Sequence, residues 1–348
     1  MTTHWILGPG AIGRLLAHSL APLVDVAVIG RRALPSRQVL TTPEGDVRVQ
    51  HLTSLTAERL VADTPAPPAF VHLTTKAMAA EAALSSIASA LPPSTPLVLW
   101  QNGFYAQPRI TQTWPGPVLC ATTTQGAYLT GDDGVVHAGR GPTFVGDLDN
   151  EHTRLAEALA ALLSEAGFTA SAVGDIRSRL WQKLAVNAAI NPLVALHGVR
   201  NGELRGDAYS GRVVAVVKEV TAILAKEGVV PPNGGESEAA WLALVWQVVE
   251  NTANNKASML QDVEAKRPTE RGAILGPLIE RAERHGLECE VLKGLDRELA
   301  QVEAGVEDNS PGAALPPVAG ASRGSLRRAT GCLPLFSGED TRSAQHGF

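Results

Sequence analysis

Short apolar runs punctuate the first 175 residues. WILG at 5–8, VAVIG at 26–30, FVHL at 70–73, PLVLW at 96–100 and PVLCATTT at 117–124 are each closed by Gly, Pro or polar residues. That pattern predicts buried strands. Between them, AIGRLLAHSLA at 11–21 and AMAAEAALSSIASAL at 77–91 predict helices. Their Ala and Leu content favours helix, and Pro92–Pro93 stops the second. Strand–helix–strand alternation predicts a parallel sheet with helical crossovers, an α/β architecture. Residues 135–147 predict an antiparallel hairpin, with VVHA and TFVG as arms around the turn formers Gly139 to Pro142. A helix over 151–166 and a strand over 168–173 complete this part.

From Asp175 the strand pattern stops. Segments 176–197, 207–227, 236–250 and 268–285 predict helices, with Gly228, Gly234–Gly235 and Gly286 at their ends. The expected organisation is an N-terminal Rossmann-type parallel-sheet domain over 1–175 and an all-helical C-terminal domain over 176–304. From Gly305 the last 44 residues hold 16 Gly, Pro or Ser and few large apolar side chains, so 305–348 reads as a disordered tail. Within it, the cluster Arg323, Arg327 and Arg328 reads as solvated charge.

Charge narrows the function. Thirty Lys and Arg against 35 Asp and Glu leave −5, which argues against a nucleic-acid binder or a protein held to anionic lipid. No run reaches the ~18–20 apolar residues of a membrane span. The start, MTTHWILGPGAIGR, lacks the basic opening of a secretion signal. Cys120, Cys289 and Cys332 are too widely spaced for a disulfide framework or a CxxC metal site, so no metal and a reducing cytoplasm are expected.

Gly8-Pro9-Gly10-Ala11-Ile12-Gly13 is a GxGxxG that follows a strand and opens a helix. In that context Gly8 allows a tight turn, Gly10 lets backbone approach a pyrophosphate, and Gly13 permits close helix–strand packing. The helix N-terminus favours anions. The next strand ends at Arg31–Arg32, with no carboxylate to accept a ribose 2′-OH. Guanidinium suits a 2′-phosphate, so the expected cofactor is NADPH. Thr74-Thr75-Lys76 and Gln101-Asn102-Gly103 follow two further strands, where ligands collect in open parallel sheets.

The predicted helix at 181–196, WQKLAVNAAINPLVAL, is apolar except for Lys183, Asn187 and Asn191 at i, i+4 and i+8. The three share one face. On this segment alone the stripe fits either an oxygen-rich ligand or water. A partly desolvated Lys can serve as a proton donor near neutral pH. No Ser-Tyr-x-x-x-Lys arrangement competes with Lys183.

GPGAIG at 8–13, TTK at 74–76, QNG at 101–103, TTTQGA at 122–127, LWQKLAVNAAINPLVAL at 180–196, RNGEL at 200–204 and ASMLQDVEAKRPTE at 257–270 together resemble the ketopantoate reductase (2-dehydropantoate 2-reductase) family. The resemblance implies NADPH-dependent reduction of 2-dehydropantoate to pantoate in pantothenate biosynthesis, in a cleft between the two domains. By that resemblance Lys183 is the proton donor. Glu270 orders Lys183 and the cofactor's ribose. Asn187, Asn191, Asn201, Asn255 and Ser258 bind a small 2-oxo acid. Lys76, Asn102 and Ala127 form the cofactor rim, and Arg31 meets the 2′-phosphate. Each residue has a plainer alternative: Asn255 and Ser258 as helix-start residues, Glu270 as a first-turn carboxylate, Asn201-Gly202 as a turn. The chain departs from the family at Gln125, where a His is frequent, and over Arg271–Gly276 after Glu270. Two rival functions are a paralogue reducing another 2-oxo acid and a sensor that holds NADPH without turnover. A homodimer through the helical part is compatible with the sequence.

Overall fold

Every core strand alternates its side chains between two apolar surroundings, and this decides the layering. In β1 (Thr3–Leu7), Trp5 and Leu7 face one core while Ile6 faces another. The computed structural model describes residues 2–63, 66–231 and 238–308. The chain continues through α1 (Ala11–Leu20), β2 (Asp25–Gly30), β3 (Arg37–Thr41), β4 (Val47–His51), β5 (Thr53–Thr56), α2 (Ala57–Asp63) and β6 (Phe70–Leu73). Then come α3 (Ala80–Ile87), β7 (Leu97–Leu99), α4 (Ala106–Thr113), β8 (Val118–Thr123), β9 (Gly126–Leu129), β10 (Gly134–Gly139), β11 (Pro142–Gly146), α5 (Thr153–Glu165) and β12 (Thr169–Ala172).

The main sheet has eight strands in the order β12-β11-β8-β7-β6-β1-β2-β5. Its strand pairs are parallel except β11 with β8. The order reverses at β1, whose neighbours are β2 and β6. In open α/β sheets that switch point opens a crevice at the carboxyl ends of the strands.

A second, four-stranded sheet, β4-β3-β10-β9, was not expected from the apolar pattern. It corrects the hairpin at 135–147. β10 pairs with β9 and β3, whereas β11 pairs with β8 and β12. The turn formers at Gly139–Pro142 therefore carry the chain from one sheet to the other. Alternation reports that a strand is half-buried, and not which strand it pairs with.

Among the described residues no strand follows β12. The helices are α6 (Ile176–His197), α7 (Asp207–Lys226), α8 (Glu238–Asn251), α9 (Ser258–Glu264), α10 (Arg271–Ile274), α11 (Gly276–Arg284) and α12 (Glu290–Asp308). Helix α6 runs unbroken through Pro192 and ends at Gly198, which is left-handed with φ 64°. The single helix expected over 268–285 is instead α10 and α11, divided at Leu275 and restarted by Gly276-Pro277. Helix α12 continues to Asp308, past the Gly305 at which the tail was expected to begin. The rest of that tail, Cys332 and the Gly234–Gly235 helix boundary lie outside the described residues.

One core is continuous from the Trp5 face of the sheet into α6, α7, α8 and α12. Trp181 of α6 packs against Phe104, just before α4, with ring centroids 4.7 Å apart and planes tilted by 41°. The sheet ends and the helices are thereby packed as neighbours, and polar side chains from both meet at the crevice.

Candidate active site

The glycine loop spans the turn from β1 to α1. Gly8 has φ +99°, and a Cβ there would stand 2.5 Å from the Thr75 methyl. A Cβ on Gly13 would stand 2.5 Å from Thr74 Oγ1 and 2.6 Å from the Gly8 carbonyl. Gly10 meets nothing closer than the Thr74 carbonyl at 3.9 Å, so its outer side is open. The Thr74 hydroxyl donates to the Gly8 carbonyl at 2.6 Å, binding the end of β6 to the loop. Helix α1 has Gly10 as N-cap, no side-chain cap and no acidic residue in its first turn. Open backbone N–H groups at the switch point can accept a phosphate. The loop therefore fits a dinucleotide. Pro9, Ala11 and Ile12 complete it.

The Gly8 N–H donates to the Ile29 carbonyl at 2.9 Å and brings the end of β2 beside the loop. Arg31 and Arg32, just beyond β2, are both exposed. Arg32 forks onto the Asp132 carboxylate, with one bond at 2.9 Å, while Arg31 has no side-chain partner among the described residues. Ala127 lies on β9 of the second sheet, opposite His137, with its methyl against the core that holds α1.

A second group lies at the carboxyl ends of β6 and β7. Glu270, the N-cap residue of α10, makes no capping bond. Its carboxylate instead accepts from Asn102 Nδ2 at 3.1 Å and from the Ala77 N–H at 3.3 Å. Gly103 has φ +81°, and a Cβ there would fall on the Ala273 carbonyl of α10. The neighbouring Lys76 donates to the Pro268 carbonyl at 2.6 Å and pairs with Asp262 at 2.8 Å. Asp262 is buried and also holds Arg267 at 3.1 Å. The two motifs that follow β6 and β7 thus close onto one segment, 262–273.

Lys183 reaches into this crevice from α6. It is partly buried, and its ammonium donates to the Thr123 carbonyl at the end of β8, at 2.7 Å. Desolvation lowers its pKa to about 8, and the Glu270 carboxylate opposes that shift. The bend after β8 is held in place by the Thr123 and Thr143 hydroxyls at 2.8 Å. Gln125 supports the same bend, pairing with His137 and donating to the Gly141 carbonyl, both at 2.6 Å.

Asn187 and Asn191 share the Lys183 face of α6, partly buried and buried respectively, so the stripe is not a water-facing surface. Asn201 is buried. Its Nδ2 donates to Thr252 Oγ1 at 2.9 Å, while its Oδ1 is buried with no partner among the described residues. The Asn201 N–H donates to the Asn255 carbonyl at 3.1 Å, so the two positions are neighbours, although the Asn255 side chain is exposed. Ser258 is the exposed first residue of α9 and caps nothing; the N-cap is Ala257.

The motifs did not single out Asp262, the Thr123 carbonyl or Arg14. Arg14 is 4% exposed, and its guanidinium donates to the carbonyls of Pro9, Gly131 and Asp132 at 3.1, 3.2 and 2.8 Å. An arginine one residue after the glycine motif, in the apolar first half of the helix, was the available signal.

The chain as a whole is similar to known proteins. The family model for ketopantoate reductase PanE/ApbA matches residues 5–150, and the model for its C-terminal region matches 175–303. The 2-dehydropantoate 2-reductase of Vibrio cholerae is 34% identical over 302 residues, which are 86% of this chain and 97% of that protein. The crystal structure of the probable 2-dehydropantoate 2-reductase of Bacillus subtilis is 27% identical with a TM-score of 0.71, covering 86% of this chain and 99% of that one. A D-mandelate dehydrogenase solved with NADH and anilino(oxo)acetate reaches a TM-score of 0.79 at 22% identity, over 88% and 99% of the two chains. That likeness shows the fold. Sheet and helical parts match in order and over nearly the whole length of the Vibrio relative, and the chain belongs to the ketopantoate reductase PanE/ApbA family.

Proposed function

We propose that this chain reduces 2-dehydropantoate to pantoate with NADPH, with residues 1–175 holding the cofactor and 176–304 supplying the substrate site. The observation that carries the reading is Lys183. An ammonium of pKa about 8, held by the Thr123 carbonyl beside the Glu270 carboxylate, is a proton donor tuned to neutral pH. The bound nicotinamide supplies the hydride. Lys183 Nζ gives the proton to the ketone oxygen and stabilises the charge that develops there.

Glu270 keeps the ammonium charged, and its bonds to Asn102 and the Ala77 N–H set its position against the sheet. On the substrate side, Asn187, Asn191 and Asn201 offer amides to carboxylate and hydroxyl oxygens. The unpartnered Asn201 Oδ1 is suited to accept a hydroxyl. Asn255 and Ser258 line the outer edge. On the cofactor side, Gly8 to Gly13 cradle the pyrophosphate and Arg31 takes the 2′-phosphate. Lys76, Asn102, Ala127 and Glu270 form the rim. Holding both reactants in a shared crevice supplies much of the acceleration.

The test is loss of NADPH absorbance with a panel of 2-oxo acids that includes 2-dehydropantoate. Fast turnover of 2-dehydropantoate is expected, and Lys183→Ala should lower kcat by about 10²-fold or more. A Lys183→Ala enzyme of near-normal turnover would remove Lys183 from the chemistry. Turnover confined to another 2-oxo acid would overturn the substrate.

A further inference from the structure

The turn between β9 and β10 belongs to the second sheet, yet it is fastened to the cofactor end of the first. Arg14 bonds both the Pro9 carbonyl of the glycine loop and the carbonyls of Gly131 and Asp132. Gln38 donates to the Asp132 carbonyl at 3.3 Å, and the Val39 N–H donates to that of Asp133 at 2.7 Å. The backbone of Asp132 is therefore fixed by bonds that do not involve its carboxylate. That carboxylate meets Arg32 in a two-bonded fork. Hydrogen bonding to Arg32 holds the Asp132 carboxyl below its usual range, so it is a full anion at neutral pH. Beside it, Arg31 has no partner among the described residues.

We propose that Asp132 determines cofactor specificity: its carboxylate withdraws Arg32 from phosphate binding and leaves the 2′-phosphate to Arg31. The inference rests on the NADPH reading above. A neighbouring carboxylate has two effects on a 2′-phosphate. It occupies a guanidinium that would otherwise bind bidentately, and it adds a charge of the phosphate's own sign to the arginine pair that would meet the phosphate. Both weaken NADPH and leave NADH untouched. Asp132 thus sets the preference for NADPH below what two arginines could reach.

The experiment is fluorescence titration of NADPH and NADH into the full-length wild type, Asp132→Asn, Arg31→Ala and the double variant Arg32→Ala/Asp132→Asn. Asn is isosteric and keeps the backbone bonds to Arg14. Asp132→Asn should tighten NADPH by about threefold or more, the scale of one exposed charge contact, with NADH unchanged. Arg31→Ala should weaken NADPH by about tenfold or more. The double variant deletes a pair that neutralises itself, so its NADPH Kd should stay within about twofold of wild type. A double variant as damaged as Arg31→Ala would overturn the proposal by placing Arg32 on the phosphate. So would an NADPH Kd unmoved or raised by Asp132→Asn in a wild-type background that prefers NADPH. A wild type that binds both cofactors equally would sink the NADPH reading itself, and this inference with it.

Discussion

Glu270→Gln separates what the carboxylate does by charge from what it does by hydrogen bonding. Gln keeps an oxygen of the same shape, so it can still accept from Asn102 or the Ala77 N–H. It loses the negative charge that favours the Lys183 ammonium. The two groups make no direct ion pair among the described residues. For a pair that is not in contact, in a crevice between the limits of bulk water and protein interior, an interaction of about 1.4 kcal/mol is the expected scale. That equals about one pKa unit. Because removing a neighbouring anion destabilises the cation, the shift is downward, from about 8 in the wild type to about 7. At pH 7 the protonated fraction then falls from about nine-tenths to about half. The assay is kcat/KM for 2-oxo acid reduction across pH, which reports ionisations of the free enzyme. Wild-type activity should fall as pH rises through about 8, because the acid loses its proton. In Glu270→Gln that alkaline limb should move down by about one unit, while the rate at low pH changes far less. An unmoved limb, with activity reduced equally at every pH, would refute the electrostatic role and leave Glu270 a hydrogen-bonding strut.

Two further outcomes follow from the packing. Gly103→Ala places a methyl on the Ala273 carbonyl at a left-handed φ of +81°. It should cost about 1–3 kcal/mol, and a thermal midpoint equal to wild type would show that the contact is soft. His4 and His18 are buried, and burial lowers both pKa values from 6.5 to about 4, with Arg14 adding to the shift at His18. The native state then refuses protons that the unfolded chain accepts, so stability is full above pH 6.5 and is lost as pH falls toward 4. Each histidine should contribute a loss of about 2 kcal/mol at pH 5, read as a lower urea midpoint than at pH 7. An equal midpoint at the two pH values would contradict the buried, neutral assignment.

The central strands of the main sheet were legible because both faces are buried, which leaves short apolar runs such as FVHL and LVL, whereas its polar edge strand β5, TSLT, was not. The second sheet was not legible. Its edge strand β4, VRVQH, is almost wholly exposed, and β9 spans four residues of which the last two are exposed. The polar stripe of α6 was visible as a spacing, but its environment was not. Whether Lys183 met water or a carbonyl depended on β8, 60 residues earlier in sequence. Lys76 was legible as a residue of the rim, but its bonds to Asp262 and the Pro268 carbonyl, distant in sequence, were not.

The sequence by itself determined the local chemistry: where glycine replaces side chains before α1, where a lysine interrupts an apolar helix, and where strands give way to helices. Those are matters of period, turn propensity and residue type, which neighbours along the chain decide. Only the tertiary structure decided which groups meet. Glu270 reaches Asn102 across 168 residues, Arg14 reaches Asp132 across 118, and Arg32 is claimed by the same Asp132. Desolvation lowers the pKa of Lys183, and the pairing of Arg32 with Asp132 leaves Arg31 without a partner among the described residues. Both depend on what packs against the group in space, and one-dimensional patterning carries no record of that.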